Sequence, residues 1–376
     1  MKSLAAQTDF DLHGIVGIRL LNANADEISM VIRQLGPIQK PLNRKPDIII
    51  EFVDHLETSE RILLIGVDDA GFTDDAFLVM RSKHKSKAKV QIPFADIGQQ
   101  HCKIIVERGL PAIPLLIAII NVTMVAKGAL PLHASAFEYQ NIGVLATGWA
   151  KGGKTETLLS FAAHGARYIG DEWVYLRGDE MYGIPEPIRL WSWHFEEMPQ
   201  YQAMLSLSER AKLKSLNTLT SFLEQMTDLG ITRKTLPMKL LRRIVPGLKR
   251  QLYVQVPPKR LFGATTEAIV SVPQKLFFVI SHESPDFIVE KGDPQLIAKR
   301  MVFSLQDERT EFLGYYTRFR FAFPEIRNDF IENLADRERE MLVTAFQEKE
   351  IYVVYHPFPV SIPALYEVLK GFFSES

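Results

Sequence analysis

Sulfur chemistry is nearly absent from this chain, which has one cysteine, Cys102, in 376 residues. That excludes an intramolecular disulfide and any metal site built on a cysteine cluster. It also makes a reducing compartment, the cytoplasm, the expected location. Long apolar runs are scarce too. Met1 to Phe10 lacks the apolar core of a signal peptide. Pro111 to Ala126 runs sixteen residues without a charge, but a bilayer span needs about 20. That stretch also carries Pro114, Asn121 and Thr123, so a buried helix is expected rather than a membrane span. The net charge is only −1, which excludes a general attraction to nucleic acid or to an anionic membrane surface. His13, His55, His84 and His101 are scattered without ligand spacing, and surface or core roles are expected for each.

What remains is an ordinary globular composition, 47% hydrophobic and 24% charged, long enough for two domains. Residues 1–105 read as a smaller mixed or β-rich unit. Its expected strands are Asp47–Val53, Arg61–Val67, Ala76–Met80 and Ala88–Phe94, with one amphipathic helix from Asp26 to Leu35. The basic run Arg81 to Lys89 reads as a solvated hairpin turn. Residues 106–376 read as the second unit, with a basic helical insertion at about 205–255.

The second unit contains Gly148-Trp149-Ala150-Lys151-Gly152-Gly153-Lys154-Thr155. This fits G-x-x-x-x-G-K-[ST], the phosphate-binding loop. Ile142 to Thr147 reads as a buried strand entering the loop. Glu156 to His164 reads as a helix leaving it, with Gly165 suited to its C-cap. Strand, glycine loop and helix suit the chemistry. Glycines let main-chain N–H groups approach phosphate oxygens, and a helix N-terminus adds partial positive charge. Lys154 is expected to reach the β- and γ-phosphates, and the Thr155 hydroxyl to bind Mg²⁺. ATP and Mg²⁺ are the expected cofactors, with Gly148 through Glu156 as the cofactor-binding residues.

Asp171 and Glu172 sit between the apolar segments Tyr168-Ile-Gly and Trp173-Val-Tyr-Leu. Two carboxylates between buried strands call for a cation. A carboxylate beside a transferred phosphoryl group can accept a hydroxyl proton, and a second can hold Mg²⁺, which prefers hard oxygen ligands. From the residues alone His133 reads as a core histidine on a strand, and Ser135 as packing.

Taken together, Pro131-Leu-His133-Ala-Ser-Ala, the loop with its Gly-Lys-Thr-Glu-Thr-Leu continuation, and Gly165-Ala-Arg-Tyr-Ile-Gly-Asp171-Glu172 resemble the catalytic domain of HPr kinase/phosphorylase. The resemblance covers about forty residues, roughly Leu132 to Val174. It implies a fold shared with phosphoenolpyruvate carboxykinase and Mg-ATP-dependent phosphorylation of a serine hydroxyl. Carried over position by position, it makes Asp171 the base, Glu172 a metal ligand beside Thr155 and Asp171, and His133 a neighbour of the phosphates. The catalytic set is then Asp171, Lys154 and His133. Glu172 departs from the family's Asp-Asp pair by one methylene. The family's downstream Arg-Gly-Leu-Gly signature is missing between Tyr182 and Gln200, so HPr is not the expected substrate. Gly183-Ile-Pro-Glu-Pro-Ile-Arg-Leu-Trp191 is instead similar to a segment of smaller relatives that act on other serine-bearing molecules. Arg189 is there as a bidentate donor for phosphate or carboxylate.

From Glu209 to Arg250 ten basic residues face only Glu209, Glu224 and Asp228. This charge excess suits an acidic acceptor, with Arg242, Arg243, Lys249 and Arg250 as candidate contacts. The expectation is thus an α/β (α+β) chain in which a β-rich unit precedes a carboxykinase-like P-loop kinase domain with a mixed central sheet. It would act on a small-molecule, peptide or protein hydroxyl, with no nucleic acid or membrane partner, and homo-oligomerisation is left open. The other readings are a nucleotide-binding scaffold without transfer activity and a decarboxylating carboxykinase-like enzyme. The latter would need a second metal constellation of Lys, His and Asp, which the sequence does not offer.

Overall fold

The computed structural model describes residues 7–57, 62–65, 70–74, 77–79, 89–99, 101–228, 252–263 and 269–373. His84, most of the basic run from Arg81, and Arg242, Arg243, Lys249 and Arg250 lie outside the described residues. Two large mixed sheets organise the chain, so the class is mixed α/β.

The first sheet has strand order β1-β2-β3-β8-β7-β6-β5-β4, from β1 (Gln7–Leu12) to β8 (Cys102–Glu107). Its central strands, β2 (Val16–Leu21), β3 (Ile48–Val53) and β8, run parallel. Helix α1 (Ala25–Leu35) makes the crossover between β2 and β3. Asn24 and Glu27 close a capping box at its start, satisfying two N–H groups that the helix leaves open. Alternation along β3 puts Ile48, Ile50 and Phe52 in the core. Helix α2 (Leu116–Ala126), the uncharged stretch, contributes Ile119, Ile120 and Val122 to this same core. Phe312, Tyr316 and Phe319, far along the chain, belong to it as well. Among the described residues no helix is long and apolar enough to cross a membrane.

The second sheet runs β16-β13-β12-β9-β10-β17-β19-β18, with β11 (Arg167–Gly170) also pairing β9. Only β10 (Ile142–Gly148), β17 (Pro273–His282) and β19 (Glu350–Pro357) run parallel to one another. Helix α3 (Lys154–Ala162) packs on one face with the C-terminal Ile362–Leu369 helix, burying Leu158, Phe161, Leu365 and Leu369. Pro294–Glu308 and Leu334–Phe346 cover the other face with Ile297, Met301, Leu342 and Phe346. Both faces of the parallel strands are therefore buried, which explains their near-continuous apolar sequences.

The two sheets meet through specific contacts. His13 Nε2 lies 2.6 Å from the Gly183 carbonyl oxygen. The Asn328 side chain donates to the carbonyls of Phe94 and Ile97, at 2.8 Å each.

One expectation needs correction. The region expected to be helical to about residue 255 ends in a strand, Tyr253–Val256, which pairs antiparallel with Ile188–Trp191. β-branched and aromatic residues there favour a strand, and its partner lies more than sixty residues earlier. The helix itself is present at Leu207–Asp228, capped by the Ser206 hydroxyl on the Glu209 N–H at 3.2 Å rather than by Ser208.

Candidate functional site

The site forms at the carboxyl end of β10, where open sheets place ligands. Leaving β10, the chain turns through Trp149 to Gly152 and enters α3 at Lys154. Two glycines are needed for space. A Cβ on Gly148 would lie 2.5 Å from the Val279 carbonyl oxygen, and one on Gly153 would lie 2.3 Å from His356 Nε2. Gly153 also has φ +103°, in the region that favours glycine. The buried His356 braces the loop from below, its Nε2 2.8 Å from the Gly152 carbonyl oxygen. No side chain caps α3, so its first-turn N–H groups face the loop as an anion-binding end. Lys154 folds back over the loop and donates to the Trp149 carbonyl at 2.9 Å. Burial lowers the Lys154 pKa, against the pull of Glu308, Glu172, Asp171 and Glu156.

Asp171 lies at the turn between β11 and β12 (Trp173–Arg177), close to the start of α3. It is 3% exposed and accepts hydrogen bonds from Ser135 Oγ and from Thr155 Oγ1, the latter at 3.2 Å. Burial pushes its pKa up to about 7, the charge of Glu172 adds to the rise, and the Ser135 and Thr155 hydroxyls oppose it. Glu172 has φ +66°, an uncommon conformation for a residue with a Cβ. Its carboxylate reaches His133 Nε2 at 3.1 Å. That hydrogen bond holds the Glu172 pKa below its ordinary value despite burial.

His133 stands on β9 (Leu130–Tyr139), and its Nδ1 contacts the carboxylate of Glu308. Burial pulls its pKa down, but the two carboxylates outweigh burial and the net shift is upward. The histidine is therefore gripped from both ring nitrogens, the arrangement that favours imidazolium.

The structure thus gathers Lys154, Thr155, Asp171, Glu172 and His133 at one strand end. Glu156 is turned elsewhere. It pairs at 3.0 Å with Nε2 of the buried His194, whose Nδ1 accepts from the Trp191 N–H at 3.2 Å. Arg189 is exposed, with its guanidinium carbon 5.1 Å from the centre of the Tyr253 ring. It reaches the site through its field, which helps lower the Glu172 pKa.

Three contributors escaped the sequence reading. Ser135 was assigned to packing, yet it donates to Asp171. Its position two residues from His133, and so on the same side of β9, was the available signal. Glu308 and His356 are distant in sequence and carry no local pattern.

Among the described residues no group of three or more His, Cys, Asp or Glu side chains is arranged to hold a metal. Asp171, Glu172 and Thr155 supply only hard oxygens, a set that suits Mg²⁺ when phosphates and waters complete its shell. Compared with protein-family models and with curated proteins, the chain matches none.

Proposed function

We propose that this chain is an ATP-dependent phosphotransferase that moves the γ-phosphoryl group of Mg-ATP to a serine-type hydroxyl. The resemblance to HPr kinase/phosphorylase noted above, and with it a carboxykinase-like P-loop fold, belongs to the same proposal. The observation that carries it is the contact between Thr155, at the uncapped start of α3, and the buried Asp171 carboxyl.

In this reading the main-chain N–H groups at the start of α3 and the Lys154 ammonium hold the phosphates. The acceptor oxygen attacks the γ-phosphorus, the bond from that phosphorus to the β–γ bridging oxygen breaks, and ADP departs. The hydroxyl proton goes to Asp171, whose pKa of about 7 suits a base working near neutrality. Mg²⁺, when bound through Thr155 and Glu172, would neutralise phosphate charge. His133, held by Glu172 and Glu308, keeps positive charge beside the phosphates. The acceptor is a small molecule, peptide or protein other than HPr.

The test is incubation with γ-labelled ATP and separate pools of metabolites, peptides and proteins. Transfer by the wild type and its loss in Asp171→Asn, with nucleotide binding retained, is the expected result. ATP affinity unaltered by Lys154→Ala would remove the assignment of the loop. Binding without any labelled product would leave a nucleotide-dependent scaffold instead.

A further inference from the structure

Beside the loop, on the side away from Asp171, a cavity of about 410 Å³ opens between the loop backbone, the end of β17 and the Pro294–Glu308 helix. The phosphate chemistry above does not use it. We propose that this cavity is a purine-base subsite, so that the loop's ligand is a purine nucleotide rather than a bare polyphosphate. The inference rests on the phosphate-loop reading and extends it to the base.

Three features of the lining carry the proposal. Trp149 and Phe303, both lining residues, are 52% and 64% exposed. Large aromatic faces left open beside a phosphate loop are what a flat heterocycle stacks upon. Arg300 adds a guanidinium 4.5 Å from the centre of the Phe278 ring, at the cavity wall. That stacked cation can receive a ribose hydroxyl or the α-phosphate.

The third feature is the edge of β17. Strand β10 ends at Gly148, opposite Val279. The Val279 carbonyl points to the β10 side, because it is the atom a Cβ on Gly148 would strike. Main-chain groups alternate sides along a strand, so the next residue to present N–H and C=O on that side is Ser281. β10 has already ended there, and Ser281 lines the cavity. One donor and one acceptor from a single residue match the paired donor and acceptor on the hydrogen-bonding edge of a purine. A cavity of this size, mainly apolar with a few convergent polar groups, is ordinary for a small ligand.

The experiment compares binding of ATP, GTP, CTP and inorganic tripolyphosphate, with Mg²⁺, to the wild-type chain, Phe303→Ala and Trp149→Ala, by calorimetry. In the wild type, ATP or GTP should bind at least about tenfold more tightly than tripolyphosphate, with CTP weaker than the preferred purine. Each truncation should cost about tenfold or more in purine-nucleotide affinity and leave tripolyphosphate unchanged, which also verifies folding. Equal binding of ATP, CTP and tripolyphosphate, or purine affinity indifferent to both truncations, overturns the base subsite and leaves the loop assignment standing. If the wild type binds neither tripolyphosphate nor any nucleotide, both fall.

Discussion

Replacing Asp171 by Asn should make the protein more stable, and more so as pH rises. The carboxyl is buried, and its pKa stands at about 7 against an ordinary value of 3.8. The sign follows from proton counting. Between those two values the folded state holds a proton that the unfolded chain has released, so wild-type stability falls as pH increases through that window. Below about pH 4 the group adds no penalty, and above about pH 7 the penalty is complete. A shift of this size corresponds to at most about 4 kcal/mol. Asn keeps the shape and an oxygen that can still accept from Ser135 and Thr155, but it has no charge to desolvate. Urea unfolding of wild type and Asp171→Asn at pH 5 and pH 8 reads the effect directly. The expected gap in midpoint is small at pH 5 and corresponds to about 2–4 kcal/mol at pH 8. A variant no more stable than wild type at pH 8 would refute the claim that Asp171 is held at a cost in stability. Such a cost is usual where a buried group serves chemistry rather than packing.

Other expectations follow from the same geometry. Acceptor kcat/KM should rise with pH and level off above about 7, since the base must be unprotonated in the free protein; a profile flat from pH 5.5 to 8.5 would exclude Asp171 as that base. Glu308→Gln removes one of the two carboxylates gripping His133, so kcat should drop roughly tenfold or more while Mg-ATP affinity holds within about threefold; unchanged kcat would contradict this. Gly153→Ala forces a Cβ to within 2.3 Å of His356 at φ +103° and should cost about 2–4 kcal/mol, seen in urea unfolding. Arg309→Met strands the fully buried Glu338 carboxylate that Arg309 now satisfies. It should cost about 3–5 kcal/mol, and Arg309→Met with Glu338→Gln should recover much of that.

What the sequence made legible was local. The phosphate loop could be read because strand, glycines and helix follow one another within some twenty residues, and Asp171-Glu172 because apolar strands flank them. The parallel core strands announced themselves through unbroken apolar runs such as Lys275 to Ser281. What could not be read was the product of distance. Glu308 reaches His133 from 175 residues away, on a helix whose pattern reports only which face is buried. Tyr253–Val256 needed its partner Ile188–Trp191 to become a strand. Ser135 looked like packing because it is wholly buried, and only the fold shows that it is buried against a carboxylate. His356 resembled any histidine at a strand end until the loop was laid over it.

Strand β9 binds these parts into one mechanical unit. It carries His133 and Ser135 two residues apart, while Leu132, Ala134 and Ala136 between and beside them are sealed in the core. It pairs with β10 along one edge and with β11 and β12 along the other. Gain or loss of a single residue within it would send both polar side chains into the apolar layer and bring alanines out to meet Asp171. The loops around the site are free to vary in length over evolutionary time, but this strand is not. Its residue count acts as a ruler, and the spacing between the histidine and the carboxyl cluster is marked on it.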